Sequence, residues 1–249
     1  MKKKYILSLS GGKDSTYLLY NILKLELPLD EIIHADVGYE DKAMNIHMDN
    51  LQNYVSREYG RSIVFLKNYK PIEKFMAERT KRGKHKGIIR GFPLRFSFCW
   101  ISRDYKIKLL QKFVKDYEKE NDCEVIQYLG FAIDEKNPSR QKKIKEYLAN
   151  KEAFVKKEKT IYPLVDLNIT EEECREGIKK IGLYTSVHFE SNRSGCWFCP
   201  KAKKEVRLKD IAKDPIRVKK IEEWIKISGR EIFTDLTLKE IKEYCSQSD

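Results

Sequence analysis

A glycine pair set between an apolar run and an amphipathic segment constrains this chain more than any other feature. Tyr5-Ile6-Leu7-Ser8-Leu9 reads as a short buried strand, Ser10-Gly11-Gly12-Lys13-Asp14-Ser15 as a tight loop, and Thr16 to Leu23 as a helix. Two glycines at such a junction let the backbone turn sharply, so that several N–H groups face one anion. The following helix adds its positive end. Ser10 and Ser15 offer hydroxyls, Lys13 a full positive charge, and Asp14 a carboxylate placed to hold magnesium or to cap the helix. The plain alternative is a chance glycine turn. A complete hexapeptide between a strand and a helix argues against it. The loop is not the Walker pattern, which needs four residues between its first glycine and Gly-Lys.

The pattern continues as strand, helix, strand. Ile32 to Val37 is a second strand, Met44 to Tyr59 a helix with Met44, Met48, Leu51 and Val55 on one face, and Ile63 to Leu66 a third strand. Helices are expected over Arg103 to Glu120 and Gln141 to Asn150, with a strand over Val125 to Gly130 between them. This is the grammar of a parallel sheet with crossover helices. Capping boxes start helices at Thr170 with Glu173 and at Thr237 with Glu240, and Pro215 to Ser228 is helical. Lys81-Arg82-Gly83-Lys84-His85-Lys86 is a basic loop, solvated or able to clamp phosphates. A shift in composition near Phe154 suggests two parts, 1–165 and 166–249.

The formal net charge of +12 favours anionic partners, nucleotides and nucleic acid among them, although lysine-rich surfaces also occur without one. No apolar run is long enough to span a bilayer, and no signal pattern opens the chain. A cytoplasmic protein with no membrane partner is the expectation, its six cysteines reduced.

Cys196 and Cys199 can grip one metal or cluster from a single turn. Cys123 and Cys174 each read more readily as small buried hydrophobes than as ligands. An iron–sulfur cluster, a zinc site and a bare redox pair all remain open. Arg140 and Arg193 are candidates for binding a substrate phosphate or sulfate, because arginine forks match such anions, with a solvated arginine as the alternative.

The hexapeptide resembles the Ser-Gly-Gly-x-Asp-Ser loop of the PP-loop ATP pyrophosphatases. Other segments resemble the phosphoadenosine phosphosulfate (PAPS) reductase-like family of that superfamily. Asp36-Val37-Gly38 is similar to its Asp-Thr-Gly strand end, and Phe98-Cys99-Trp100 to its Trp-Cys-Thr segment. Gly130 to Arg140 is similar to Gly-x-x-x-Asp-Glu with a trailing arginine, Tyr162-Pro163-Leu164 to its Tyr-Pro-Leu turn, and Gly195 to Cys199 to its late Gly-Cys-x-x-Cys. The tail around Cys245 and the alanine at position 132 depart from the reductase pattern.

The resemblance implies an α/β fold with a five-stranded parallel sheet, helices on both faces and a small C-terminal helical and loop subdomain. It implies that ATP and Mg²⁺ are held by Ser8, Ser10, Gly11, Gly12, Lys13, Asp14, Ser15, Asp36 and Gly130. Lys13, Asp14 and Cys199 are the expected catalytic residues. Cys99, Cys196 and Cys199 would hold an iron–sulfur cluster, with zinc the alternative and Cys174 a fourth donor. The implied reaction adenylates a substrate with release of pyrophosphate and supports sulfur transfer. Expected partners are an adenine nucleotide, a nucleic acid (tRNA or DNA), a sulfur-donor protein and a second copy in a homodimer. A reductase releasing sulfite and a non-catalytic binding module are the alternatives.

Overall fold

The computed structural model describes residues 1–83, 86–94, 99–190 and 195–247. Five strands, β1 (Lys2–Ser8), β2 (Glu31–Asp36), β3 (Ile63–Lys67), β4 (Cys123–Tyr128) and β5 (Thr160–Ile161), form one sheet in the order β3-β2-β1-β4-β5. The ladders of β1 with β2, β1 with β4 and β4 with β5 are all parallel. The helices are α1 (Lys13–Lys24), α2 (Lys42–Tyr59), α3 (Ile72–Ala77), α4 (Trp100–Ser102), α5 (Lys108–Asn121), α6 (Pro138–Ala149), α7 (Lys151–Glu158), α8 (Pro163–Asp166), α9 (Glu171–Lys180), α10 (Val187–Glu190), α11 (Lys204–Ala212), α12 (Pro215–Ser228) and α13 (Leu238–Ser246). A π-helical turn, Arg103–Ile107, leads into α5 where the sequence reads as one helix.

The chain forms two compact units. The first comprises Met1–Asp36, Lys42–Leu66 and Lys108–Ser194, and the second Val37–Asp41, Lys67–Ile107 and Gly195–Asp249. In the first, successive residues of β1 point to opposite faces, as strand geometry requires. Leu7 joins Leu18, Leu19, Leu51 and Val55 under α1 and α2. Ile6 joins Ile33 and Val125 with Leu110, Phe113 and Val114 of α5. Helices thus cover both faces, as expected. A third cluster packs Tyr147 and Phe154 of α6 and α7 on Tyr162 and Val165. The second unit is built on aromatic rings: Phe92, Trp100, Trp197, Phe198, Trp224 and Phe233 share one buried core.

The compact units correct the division after Val165. Helix α9 belongs with α1: Gly177 lies so near Tyr17 that a Cβ there would stand 2.2 Å from the ring. Local composition carries no trace of that packing. The second unit is also discontinuous, drawing residues 37–41 and 67–107 out of the middle of the chain.

Among the described residues, no helix is long and apolar enough to cross a membrane.

Candidate nucleotide and thiol sites

In the first unit, strand order reverses direction between β1 and β4, and in open parallel sheets ligands bind beyond the carboxyl ends of strands at such a point. The Ser10–Ser15 loop leaves β1 there, and Gly130 follows β4. A Cβ on Gly130 would stand 3.0 Å from both the Cα and the backbone N of Ser15. The missing side chain lets the end of β4 close on the start of α1. Gly11 takes φ +73°, and a Cβ there would meet Met48 Sδ at 2.7 Å.

Gly12 is the N-cap of α1, and no side chain caps the helix. The first N–H groups of a helix have no intrahelical acceptor, so this end offers bare amides to an anion. The loop serines bind each other. Ser10 Oγ and Ser15 Oγ are 2.9 Å apart, Ser15 Oγ donates to Gly12 O at 3.0 Å, and the Gly12 N–H donates to Ser10 Oγ at 3.3 Å. Lys13 Nζ is 2.8 Å from Asp14 and 3.1 Å from Glu171. Burial would lower the Lys13 pKa, but the two carboxylates outweigh it and hold the pKa above the ordinary lysine value. Burial raises the Asp14 pKa against the pull of Lys13.

Three residues that sequence reasoning did not assign complete this surround. Glu171, the second partner of Lys13, opens α9, and its N–H donates to Asp134 at 2.7 Å. His188 Nε2 donates to Gly11 O at 2.8 Å, and its ring meets His47 edge-on with centroids 4.9 Å apart. His47 in turn lies 3.3 Å from Thr16 Oγ1. Nothing local to these residues signals the contacts, which join positions far apart in sequence. Burial, with His188 beside it, lowers the His47 pKa to about 4, and burial also lowers that of His188.

The unfolded imidazole of His47 therefore binds its proton first as pH falls. Stability contributed by neutral His47 is present above its ordinary pKa of about 6.5 and is lost toward about 4. Urea unfolding at pH 5 should show about 2 kcal/mol less stability than at pH 7 from this group. His47→Gln should flatten that dependence, and an unaltered pH slope would refute the assignment.

Other expected nucleotide and substrate residues stand on β1, β2 and α6. Ser8 Oγ faces Gln127 Oε1 of β4 at 3.5 Å. Asp36 ends β2 at the same carboxyl edge of the sheet as the loop. Arg140 binds Glu135 Oε2 at 2.8 Å and lies over the Phe131 ring. Arg193 lies outside the described residues.

The second unit holds Cys99, Cys196 and Cys199. Cys99 and Cys196 both pack on the aromatic core, and Cys196 feels the charge of the other two thiols. Residues 196–199 form a tight turn closed by the Cys199 N–H on Cys196 O at 3.0 Å. Cys196 bridges to Glu40, and the Trp197 N–H donates to Tyr39 O at 3.2 Å. Trp197 stacks on Trp224 at 5.5 Å and 13°. Trp197 and Phe198 are both buried, and their rings pack in the aromatic core.

Burial pushes the Cys196 thiol up to about 12, while Lys106 acts in the opposite direction. Lys106 Nζ is 3.0 Å from Glu40 Oε1, and Glu40 Oε2 is buried without a partner among the described residues. Burial alone would lower the Lys106 pKa; Glu40 and the Cys196 and Cys199 sulfurs hold it up. Glu40 and Lys106 are thus further members of this site that the sequence did not mark.

Cys174 belongs elsewhere. It is fully buried in the apolar core of the first unit, where burial, and Asp14 beside it, push its thiol up. The sequence alternative of a small buried hydrophobe describes it. Soft thiol donors suit an iron–sulfur cluster or zinc. Among the described residues, however, no three His, Cys, Asp or Glu side chains converge to hold a metal ion in this arrangement.

No protein-family model matches this chain, and no curated protein matches it. Among solved structures, the U34-tRNA thiolase NcsA from Methanococcus maripaludis with its [4Fe-4S] cluster aligns over 98% of this chain and 72% of its own, at 17% identity and a TM-score of 0.43. A likeness of that degree carries no inference about activity.

Proposed function

We propose that this chain is a PP-loop enzyme that binds ATP with Mg²⁺, cleaves it between the α- and β-phosphates to adenylate an acceptor, and supports sulfur transfer to that acceptor. One observation carries the reading: an uncapped helix N-terminus with a lysine and two hydroxyls, at the reversal point of a parallel sheet. Such a cradle grips the β- and γ-phosphates through backbone amides and helix dipole. Lys13 leaves Glu171 to neutralise the charge that grows on departing pyrophosphate. Asp14 would help hold the magnesium ion, which would supply positive charge against the phosphates. An acceptor oxygen attacks the α-phosphorus, and pyrophosphate leaves. A sulfur nucleophile then attacks the activated carbon, and AMP departs with the oxygen.

Cys99, Cys196 and Cys199, which share one unit but do not converge on a common point in this arrangement, are the donors that would close on an iron–sulfur cluster, which would supply a metal able to bind and present sulfide. Lys106 places a positive charge beside Cys196 and favours its thiolate form, which ligation requires. The acceptor class that fits the basic chain is nucleic acid.

The products of ATP test the reading. Incubation with ATP, Mg²⁺ and unmodified tRNA, followed by phosphorus NMR, should yield AMP and pyrophosphate together. ADP with inorganic phosphate would overturn it.

A further inference from the structure

The positive charge of the chain is not spread evenly. Residues 67–90 hold nine lysines and arginines against two glutamates, and so carry +7 of the net +12. Both glutamates are already engaged. Glu73 accepts from Trp224 Nε1 at 3.0 Å and from Lys220 at 3.4 Å. Glu78 binds Lys70 and, at 3.3 Å, Arg90. Lys70 and Arg90 are further fixed over the Phe75 ring. Lys81, Arg82 and Lys86 are exposed and form no ion pair among the described residues, although Glu78 feels the charge of Lys81.

These cations lie on two segments, 78–83 and 86–90, that pair with each other. The Thr80 N–H donates to Ile88 O and the Gly87 N–H to Thr80 O, each at 2.8 Å, and the Arg90 N–H donates to Glu78 O at 2.8 Å. Arg79 and Ile89 form an antiparallel bridge, and Arg79 Nη1 donates to Gly87 O at 2.6 Å. Tyr69, next to the Lys70 that binds Glu78 at the start of the first segment, is 91% exposed.

Cations without an ion pair on these two segments, with a bare tyrosine ring at their base, match a phosphodiester strand carrying an unstacked base. A lipid surface fits less well. It would want a continuous apolar prong, whereas Ile88 and Ile89, both exposed, are flanked by Lys86 and Arg90.

We infer that the paired segments 78–83 and 86–90 dock an unpaired stretch of nucleic acid, its phosphates on Lys81, Arg82 and Lys86 and a base on Tyr69; Lys84 and His85 of the basic loop lie outside the described residues. This deepens the proposed function, resting on it only for the docked strand's role as acceptor.

The test is fluorescence-polarisation binding of the full chain, without ATP, to a labelled RNA stem-loop, a single-stranded DNA of the loop sequence and a DNA duplex, across a range of salt. The wild type should bind the stem-loop or the single strand more tightly than the duplex. The variant Lys81→Glu/Arg82→Glu/Lys86→Glu should lose at least ten-fold in affinity, and its salt slope should fall by about 2, three phosphate contacts at roughly 0.7 each. Tyr69→Ala should lose about five-fold or more with the slope unchanged. The stronger of RNA and single-stranded DNA identifies the source of the strand.

Unchanged affinity and slope in the triple variant would overturn the inference. So would binding to phosphatidylserine vesicles with none to nucleic acid. Should the triple variant fail to fold, a wild-type slope shallower than about 2 overturns it equally. Failure of the wild type to release pyrophosphate would sink the adenylation reading and leave these affinities untouched, so the two failures are distinguishable.

Discussion

Lys13→Ala should lower the rate of pyrophosphate release from ATP by about 10²- to 10³-fold, the range seen when one preorganised charge-stabilising donor is removed from a catalytic site. The structure says why the loss is large and why it is not a folding effect. The Lys13 ammonium is the cation seen at the mouth of the amide cradle, held by Asp14 and Glu171 at 2.8 and 3.1 Å. Removing it leaves Asp14, whose pKa burial already raises, facing the incoming phosphates without a counter-charge. The backbone turn does not depend on the lysine, because Gly11, Gly12 and the two serines build it. The melting temperature should therefore change little. Lys13→Arg should retain the charge but place it less well, giving an intermediate rate. A normal rate in Lys13→Ala would remove the loop from the chemistry.

Trp224→Ala should destabilise the second unit by about 3–5 kcal/mol, the cost of deleting a large buried ring, and should strip the protein of metal. Trp224 is fully buried and stacks on Trp197, while Phe198 meets it edge-on at 4.8 Å. Trp197 and Phe198 are the two residues between Cys196 and Cys199, so the ring forms the floor of the thiol turn. Its Nε1 also donates to Glu73 at 3.0 Å, and the truncation leaves that carboxylate short of a donor. Two measurements separate floor from ligand. Guanidinium unfolding should show the stability loss for Trp224→Ala and little for Cys199→Ser. Iron, zinc and acid-labile sulfide analysis after anaerobic purification should show metal loss for both. Full metal content in Trp224→Ala would contradict the role given to the ring, and full content in Cys199→Ser the ligand set.

The elements with a strong local pattern were legible. Helix α12 runs from Pro215 to Ser228 as the sequence suggests, and both capping boxes form, at Thr170 with Glu173 and at Thr237 with Glu240. The buried face of α2 holds the four expected residues. Its extra member, His47, is polar and owes its place to Thr16 and His188, which no spacing rule reveals. The phosphate loop was legible because its chemistry is local: glycines, serines and lysine within six residues at one strand–helix junction.

What surrounds the loop was not legible, because Glu171 and His188 arrive from the far end of the first unit. Cys174 has the same explanation in reverse. Its residue type suggests a ligand, but the packing of α9 on α1 buries it under the first unit's core. The unit boundary was missed because the second unit is discontinuous, and composition along the chain averages over an insertion of that kind.

Amide chemical-shift mapping tests the cradle most directly. On titration of the ¹⁵N-labelled protein with Mg²⁺ and ATP, and separately with pyrophosphate, the account predicts the largest shifts at the N–H groups of Gly12, Lys13, Asp14 and Ser15 with both ligands. Saturable binding that leaves those four signals in place would contradict it.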